Sequence, residues 1–121
     1  MKINSERLKR NLINLGKIGY EEGKGITRSA FTAEYEEGRA FVRELMEDAG
    51  LSVHQDSVGN LFGKLEGKDK NKSILLGSHI DSVPNGGMFD GNLGVLAAIE
   101  CTYCRKYFNW SCTRNSWYCT I

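Results

Sequence analysis

The chain predicts an α/β fold, a mixed sheet flanked by helices, on three observations. Residues 5–15 and 32–46 carry apolar side chains at helical spacing. Runs 51–55, 58–65 and 73–79 read as strands, the last being the most apolar. A small-residue segment, Gly94-Val95-Leu96-Ala97-Ala98, then starts a helix shortly after that strand. In open α/β sheets such strand–loop–helix transitions place ligand sites at strand C-terminal ends.

Each element has its own warrant. Asn4 or Ser5 can cap a first helix with Leu8, Leu12 and Leu15 on one stripe, ended by Gly16 or Gly19. Residues 20–32 are polar and glycine-bearing and read as loop. Thr32 opens a second helix with Tyr35, Phe41, Val42, Leu45 and Met46 on its apolar face, and Gly50 closes it at C′. Leu51–Gln55 alternates as a strand, Val58–Leu65 is a second, and Ser73–His79 a third that looks central. Residues 67–72 form a charged turn whose lysines read as a solvated tip. His54 has no partner at ligand spacing and reads as a surface residue.

Composition excludes several functions. The 121 residues carry 16 basic and 15 acidic side chains, a net charge of +1. That gives no electrostatic case for nucleic acid or for an anionic membrane surface. No apolar run approaches the roughly 18–20 residues of a spanning helix. The N-terminus, Met-Lys-Ile-Asn-Ser-Glu-Arg-Leu-Lys-Arg, is charged and helical rather than a signal peptide, so a cytoplasmic location is expected.

The chemistry concentrates in residues 77–94, Gly-Ser-His-Ile-Asp-Ser-Val-Pro-Asn-Gly-Gly-Met-Phe-Asp-Gly-Asn-Leu-Gly. On extended backbone His79 and Asp81 share a face. An imidazole that binds a metal usually donates its other ring N–H to a carboxylate or carbonyl, so His-x-Asp presents a ligand with its orienter. Asp90 adds a hard oxygen ligand across a loop whose Gly86, Gly87 and Gly91 suggest positive φ or close backbone approach. A lone histidine near a strand end is more often a satisfied surface or core residue, and Asp90 in this setting favours the ligand. A phosphate-cradling loop is the weaker rival, because the segment lacks a P-loop lysine and a dinucleotide fingerprint. The stretch reads as half of a metal site.

The same stretch resembles the first metal-binding motif of the di-metal aminopeptidase/acylase superfamily. Its Pro84-Asn85-Gly86-Gly87-x-Phe89-Asp90-Gly91 wording is most similar to the branch of N-carbamoyl-L-amino-acid hydrolases, allantoate amidohydrolases and β-ureidopropionases. Gly25-Ile26-Thr27-Arg28, Gly38-Arg39, Ala49-Gly50-Leu51 and Asp56-Ser57-Val58-Gly59-Asn60-Leu61 agree, so that the resemblance spans residues 5–100. It implies that His79 ligates one metal, that Asp90 bridges both, and that Asp81 serves catalysis by orienting His79. It implies a cis bond between Asp90 and Gly91. An arginine beside Thr27 in a polar loop is by default solvated; the resemblance leaves Arg28 a structural or site-proximal role, not substrate binding.

The family's paired glutamates, its later ligands and its lid-like dimerisation domain have no counterpart here: no Glu-Glu follows Asp90. The expected architecture is therefore a partial three-layer αβα catalytic domain, truncated before its second half and the lid. The cofactors implied for the intact enzyme are two divalent metal ions, and His plus carboxylates suits zinc, manganese or cobalt. The implied partner is a small carbamoyl or ureido substrate, with a homodimer expected only of the full-length parent, and with no nucleic acid or membrane.

Composition breaks at residue 101. All 4 cysteines (Cys101, Cys104, Cys112, Cys119) and both tryptophans (Trp110, Trp117) fall in residues 101–121, and helical periodicity is clear only through Glu100. Cys101-x-x-Cys104 is half of a zinc-ribbon motif, but the spacing of Cys112 and Cys119 does not complete it. A cytoplasmic chain argues against disulfides. Shifting the codons of residues 101–109 forward by one base permits Ala-Leu-Thr-Ala-Glu-Asn-Ile-Leu-Ile, which continues the helix. Residues 1–100 thus read as the first part of a metallohydrolase domain and residues 101–121 as an out-of-frame tail. The function expected is a metal-dependent hydrolase of linear amide or carbamoyl C–N bonds, inactive as this chain. The alternatives are a non-catalytic metal-binding or interaction module using the cysteines, and a peptidase of the same superfamily.

Overall fold

A computed structural model describes residues 3–67, 69–108 and 115–121; Lys68, Trp110 and Cys112 lie outside them. Helix α1 (Ser5–Lys17) is capped by Asn4, whose side-chain oxygen accepts from the Arg7 N–H at 3.0 Å. It buries Leu12, Leu15 and Gly16. Residues 20–26, expected as loop, contain a short antiparallel hairpin of β1 (Tyr20–Glu21) and β2 (Gly25–Ile26). Strands of two residues are too short to show an alternating pattern.

Helix α2 (Ala33–Asp48) starts at Thr32, whose hydroxyl accepts from the Tyr35 N–H at 3.3 Å. It ends in a Schellman motif. Gly50 has φ +86°, its N–H reaches Glu47 O at 2.8 Å, and the Leu51 N–H reaches Met46 O at 3.0 Å. Strand β3 (Ser52–Gln55) then pairs antiparallel with β4 (Leu61–Leu65). Strand β4 starts later than expected because Asp56 folds Val58–Asn60 into a turn, its carboxylate accepting from Val58 N at 3.1 Å and Asn60 N at 2.8 Å.

Strand β5 (Asp69–Gly77), helix α3 (Asn92–Phe108) and strand β6 (Asn115–Thr120) form a β-α-β crossover with β5 and β6 parallel. The sheet order is β3-β4-β6-β5, with β4 and β6 antiparallel, so the sheet is mixed as expected. Three expectations change, the first being that β5 starts at Asp69, within residues 67–72 expected as a turn, and not at Ser73. Among the described residues β5 is an edge strand, because β6 rather than β5 pairs with β4. Helix α3 continues past Glu100, because Tyr103 extends the buried stripe of Val95, Leu96 and Ile99 and its hydroxyl donates to Leu45 O at 3.3 Å.

One hydrophobic core joins α1, α2 and α3 to Leu51, Leu61, Ile80 and Ile121. Helix α2 lies directly on the sheet at Gly63, where a Cβ would meet Leu51 Cδ1 at 2.8 Å and Met46 Sδ at 3.2 Å. No helix among the described residues is long and apolar enough to cross a membrane.

Candidate metal centre

The chain leaves the sheet after Gly77, with Ile80 buried in the core between exposed His79 and half-buried Asp81. This alternation turns both polar side chains outward together. The His79 Nδ1 lies 2.9 Å from the Asp81 backbone carbonyl and 3.3 Å from the Asp81 carboxylate. A carbonyl only accepts, so Nδ1 is the donor of this contact, and in the neutral ring Nε2 is the nitrogen left to bind a metal. That free nitrogen sits 3.7 Å from Asp90 Oδ1. His79, Asp81 and Asp90 are thus brought together, with the tether to Asp81 made first by its main chain and only second by its carboxylate.

Asp90 reaches this position at the end of a loop fastened to the Ile26–Arg28 segment. Ile26 and Gly86 exchange backbone hydrogen bonds of 3.0 and 2.8 Å, Asn85 N donates to the Thr27 hydroxyl at 3.1 Å, and Ser82 N donates to Arg28 O at 3.0 Å. The chain then turns sharply into α3 at Gly91, φ +68°. A Cβ there would overlap the His79 carbonyl oxygen and meet His79 Nδ1 and Cε1 at 2.7 Å. The bond between Asp90 and Gly91 is trans, against expectation, and the left-handed glycine provides the turn instead. Gly87 has neither positive φ nor a close neighbour.

Arg28 is not solvated. It is fully buried and its guanidinium donates to Ile80 O (2.7 Å), Leu15 O (2.8 Å), Ile18 O (3.0 Å) and Asn92 Oδ1 (2.6 Å). Burial lowers its pKa from the ordinary arginine value, partly offset by the negative charge of Asp81. With its donors so committed it has little left to offer a substrate. Asn92 donates in turn to Met88 O at 3.0 Å. Neither contact could be read from spacing, because Arg28 lies 52 residues from Ile80 and 64 from Asn92.

An imidazole nitrogen and an exposed carboxylate 3.7 Å apart suit a borderline or hard divalent cation. They make a partial donor set, since no group of three or more ligating side chains occurs among the described residues. The cysteines offer no better one there. Cys104 is buried, its thiol lies 3.7 Å from Glu100 Oε1, and burial followed by the Glu100 charge raises its pKa, which disfavours the thiolate a metal needs.

The Peptidase family M28 model matches residues 60–107. An N-carbamoyl-L-amino acid amidohydrolase of Geobacillus stearothermophilus is 48% identical over 99 residues, which are 81% of this chain and 24% of that protein. Allantoate amidohydrolase of Bacillus subtilis is 42% identical over 86 residues, 70% of this chain and 21% of that protein. The crystal structure of a hydantoinase/carbamoylase family amidase from Burkholderia ambifaria superimposes with a TM-score of 0.93 at 35% identity, covering 98% of this chain and 29% of that one. The chain therefore spans about a quarter of the length of the curated relatives it matches. Site motif, fold and identity agree that this chain belongs to the amidohydrolase family of the N-carbamoyl-L-amino-acid and allantoate amidohydrolases.

Proposed function

We propose that this chain is part of a metal-dependent hydrolase of linear C–N bonds in N-carbamoyl-L-amino acids or ureido compounds such as allantoate. The observation that carries the reading is the His79–Asp90 pair, with an imidazole whose Nδ1 proton is held by Asp81 and whose Nε2 faces a carboxylate 3.7 Å away. His79 and Asp90 are the residues that would hold metal. A bound divalent cation lowers the pKa of water toward neutrality and polarises the carbonyl to be attacked. Asp81 keeps His79 in the ligating tautomer, and Gly91 lets α3 start close against the imidazole.

In this reading His79 and Asp90 supply two donors, and Glu100 is buried against Arg7, out of use as a general base. A peptidase specificity shares the same ligands; the 48% identity to an N-carbamoyl-L-amino acid amidohydrolase favours the carbamoyl substrate. We further propose that residues 101–121 are read out of frame. Their composition supports this. Genomic sequence showing one unbroken frame through codon 121 and beyond would sink it.

Zinc titration against a chromophoric chelator tests the site. His79→Ala and Asp90→Ala are expected to abolish binding, and Cys101→Ser with Cys104→Ser to leave it unchanged. Binding lost with the cysteines and kept without His79 would instead mean a thiolate site and a non-catalytic module.

A further inference from the structure

We propose that Arg28 is the positioning residue of the metal centre, a buried clamp that fixes the two ligating segments to each other. The inference rests on the reading of His79 and Asp90 as ligands. Those residues lie on separate segments, each exposed at its tip, and no direct hydrogen bond joins them at 3.7 Å. What joins them is behind the site. The Arg28 Nε–H holds the carbonyl of Ile80, the residue between His79 and Asp81. One Nη2–H holds the Asn92 side chain, and the amide of that side chain holds the Met88 carbonyl, bracketing Asp90 from both sides.

The remaining contacts make the clamp rigid. Nη1 binds Leu15 O, which also accepts from the Ile18 N–H, and the carbonyl of the C-cap residue Ile18, so that it sits at the C-terminal end of α1, a stabilising place for a cation. The Arg28 main chain pairs twice with Ser82: its N–H donates to the Ser82 hydroxyl at 2.9 Å and its carbonyl accepts from Ser82 N at 3.0 Å. The stem lies along Gly38 of α2, where a Cβ would stand 3.1 Å from Arg28 Cδ. Four guanidinium bonds in a fixed planar fork, all to neutral oxygens, are a geometry an ammonium cannot reproduce. No carboxylate is among these hydrogen-bond partners, so the charge is not there to make an ion pair. It is there to orient carbonyls of the site.

The test uses the 15N-labelled chain without metal and then with zinc. The protein has only 2 histidines, so long-range 1H–15N spectra resolve His79 beside His54, an internal control. Wild type is expected to show His79 as a single tautomer with the proton on Nδ1. In Arg28→Lys, at temperatures where circular dichroism shows it folded, His79 nitrogen shifts are expected to average toward both tautomers. His54 stays unchanged, and zinc affinity falls roughly 10–100-fold, the usual cost of losing an outer-shell partner. A merely structural role would lower the melting temperature and leave the His79 spectrum of the folded protein alone. A folded Arg28→Lys with wild-type His79 shifts and zinc affinity overturns the clamp.

If Arg28→Lys does not fold, Asn92→Ala decides. It cuts only the branch to Asp90, so His79 shifts are expected to hold while zinc affinity falls about tenfold. Unchanged affinity overturns the proposal. Failure of wild type to bind zinc at all defeats the hydrolase reading, and the metal-free spectra then judge the clamp alone.

Discussion

Gly91 has the least freedom of any residue at the site. Its φ of +68° is a left-handed conformation, and a Cβ would strike both the carbonyl oxygen and the ring of His79. Gly91→Ala therefore combines a backbone penalty of about 1–2 kcal/mol with displacement of the imidazole. The expected result is a folded protein of lower thermal midpoint whose zinc affinity is at least tenfold weaker, checked by calorimetry and chelator competition. Wild-type affinity in this variant would mean that His79 is not held against the turn. Sequence alone made His79, Asp81, Asp90 and the glycine-rich turn legible because they lie within residues 77–94, where spacing translates directly into geometry. Arg28 and Asn92 were not legible, because their meaning comes from partners brought in by tertiary folding. Burying a guanidinium among carbonyls also leaves no periodic trace in a sequence.

At the scale of elements, α1 and α3 are locked by one buried acid. Glu100 in α3 accepts from Arg7 Nε at 2.7 Å, Arg7 Nη2 at 2.8 Å and Asn4 N at 2.9 Å, and its side chain is 3% exposed. Burial alone pushes its pKa up, but the hydrogen bonds from Arg7 and Asn4 outweigh it, and the net shift is downward. Folded below unfolded means that this stability is present above the unfolded value, about 4.3 for glutamate. It is lost as pH falls through the lower folded value. Urea midpoints of wild type are expected to fall below pH 4.5 more steeply than those of Glu100→Gln. At pH 7 Glu100→Gln is expected to cost about 3 kcal/mol, since it leaves Arg7 without its buried partner. Equal pH slopes in the two proteins would refute the coupling. Helix boundaries such as Thr32 and Gly50 were readable because caps are local chemistry. The β5 position was not: Ile74-Leu75-Leu76 reads as a strand buried on both faces, yet Leu76 packs on the core while Leu75 is 64% exposed.

The whole molecule carries the consequence of that exposure. The three helices join one core on one side of the sheet, and the cross-strand register sets His54, Phe62, Lys64 and Leu75 on the other. Among the described residues β5 pairs on one side only, so its other edge presents backbone donors and acceptors beside an apolar side chain. Unprotected edges of this kind recruit further strands. The purified chain at micromolar concentration is accordingly expected to self-associate, with light scattering rising with concentration. Leu75→Lys adds a charge to the outer face of the edge strand and touches neither the core nor the His79–Asp90 pair. It should shift the population toward monomer without changing zinc affinity. A wild-type chain that scatters as a clean monomer over the same range would show that this edge is covered, and that the sheet as described is already closed to new partners.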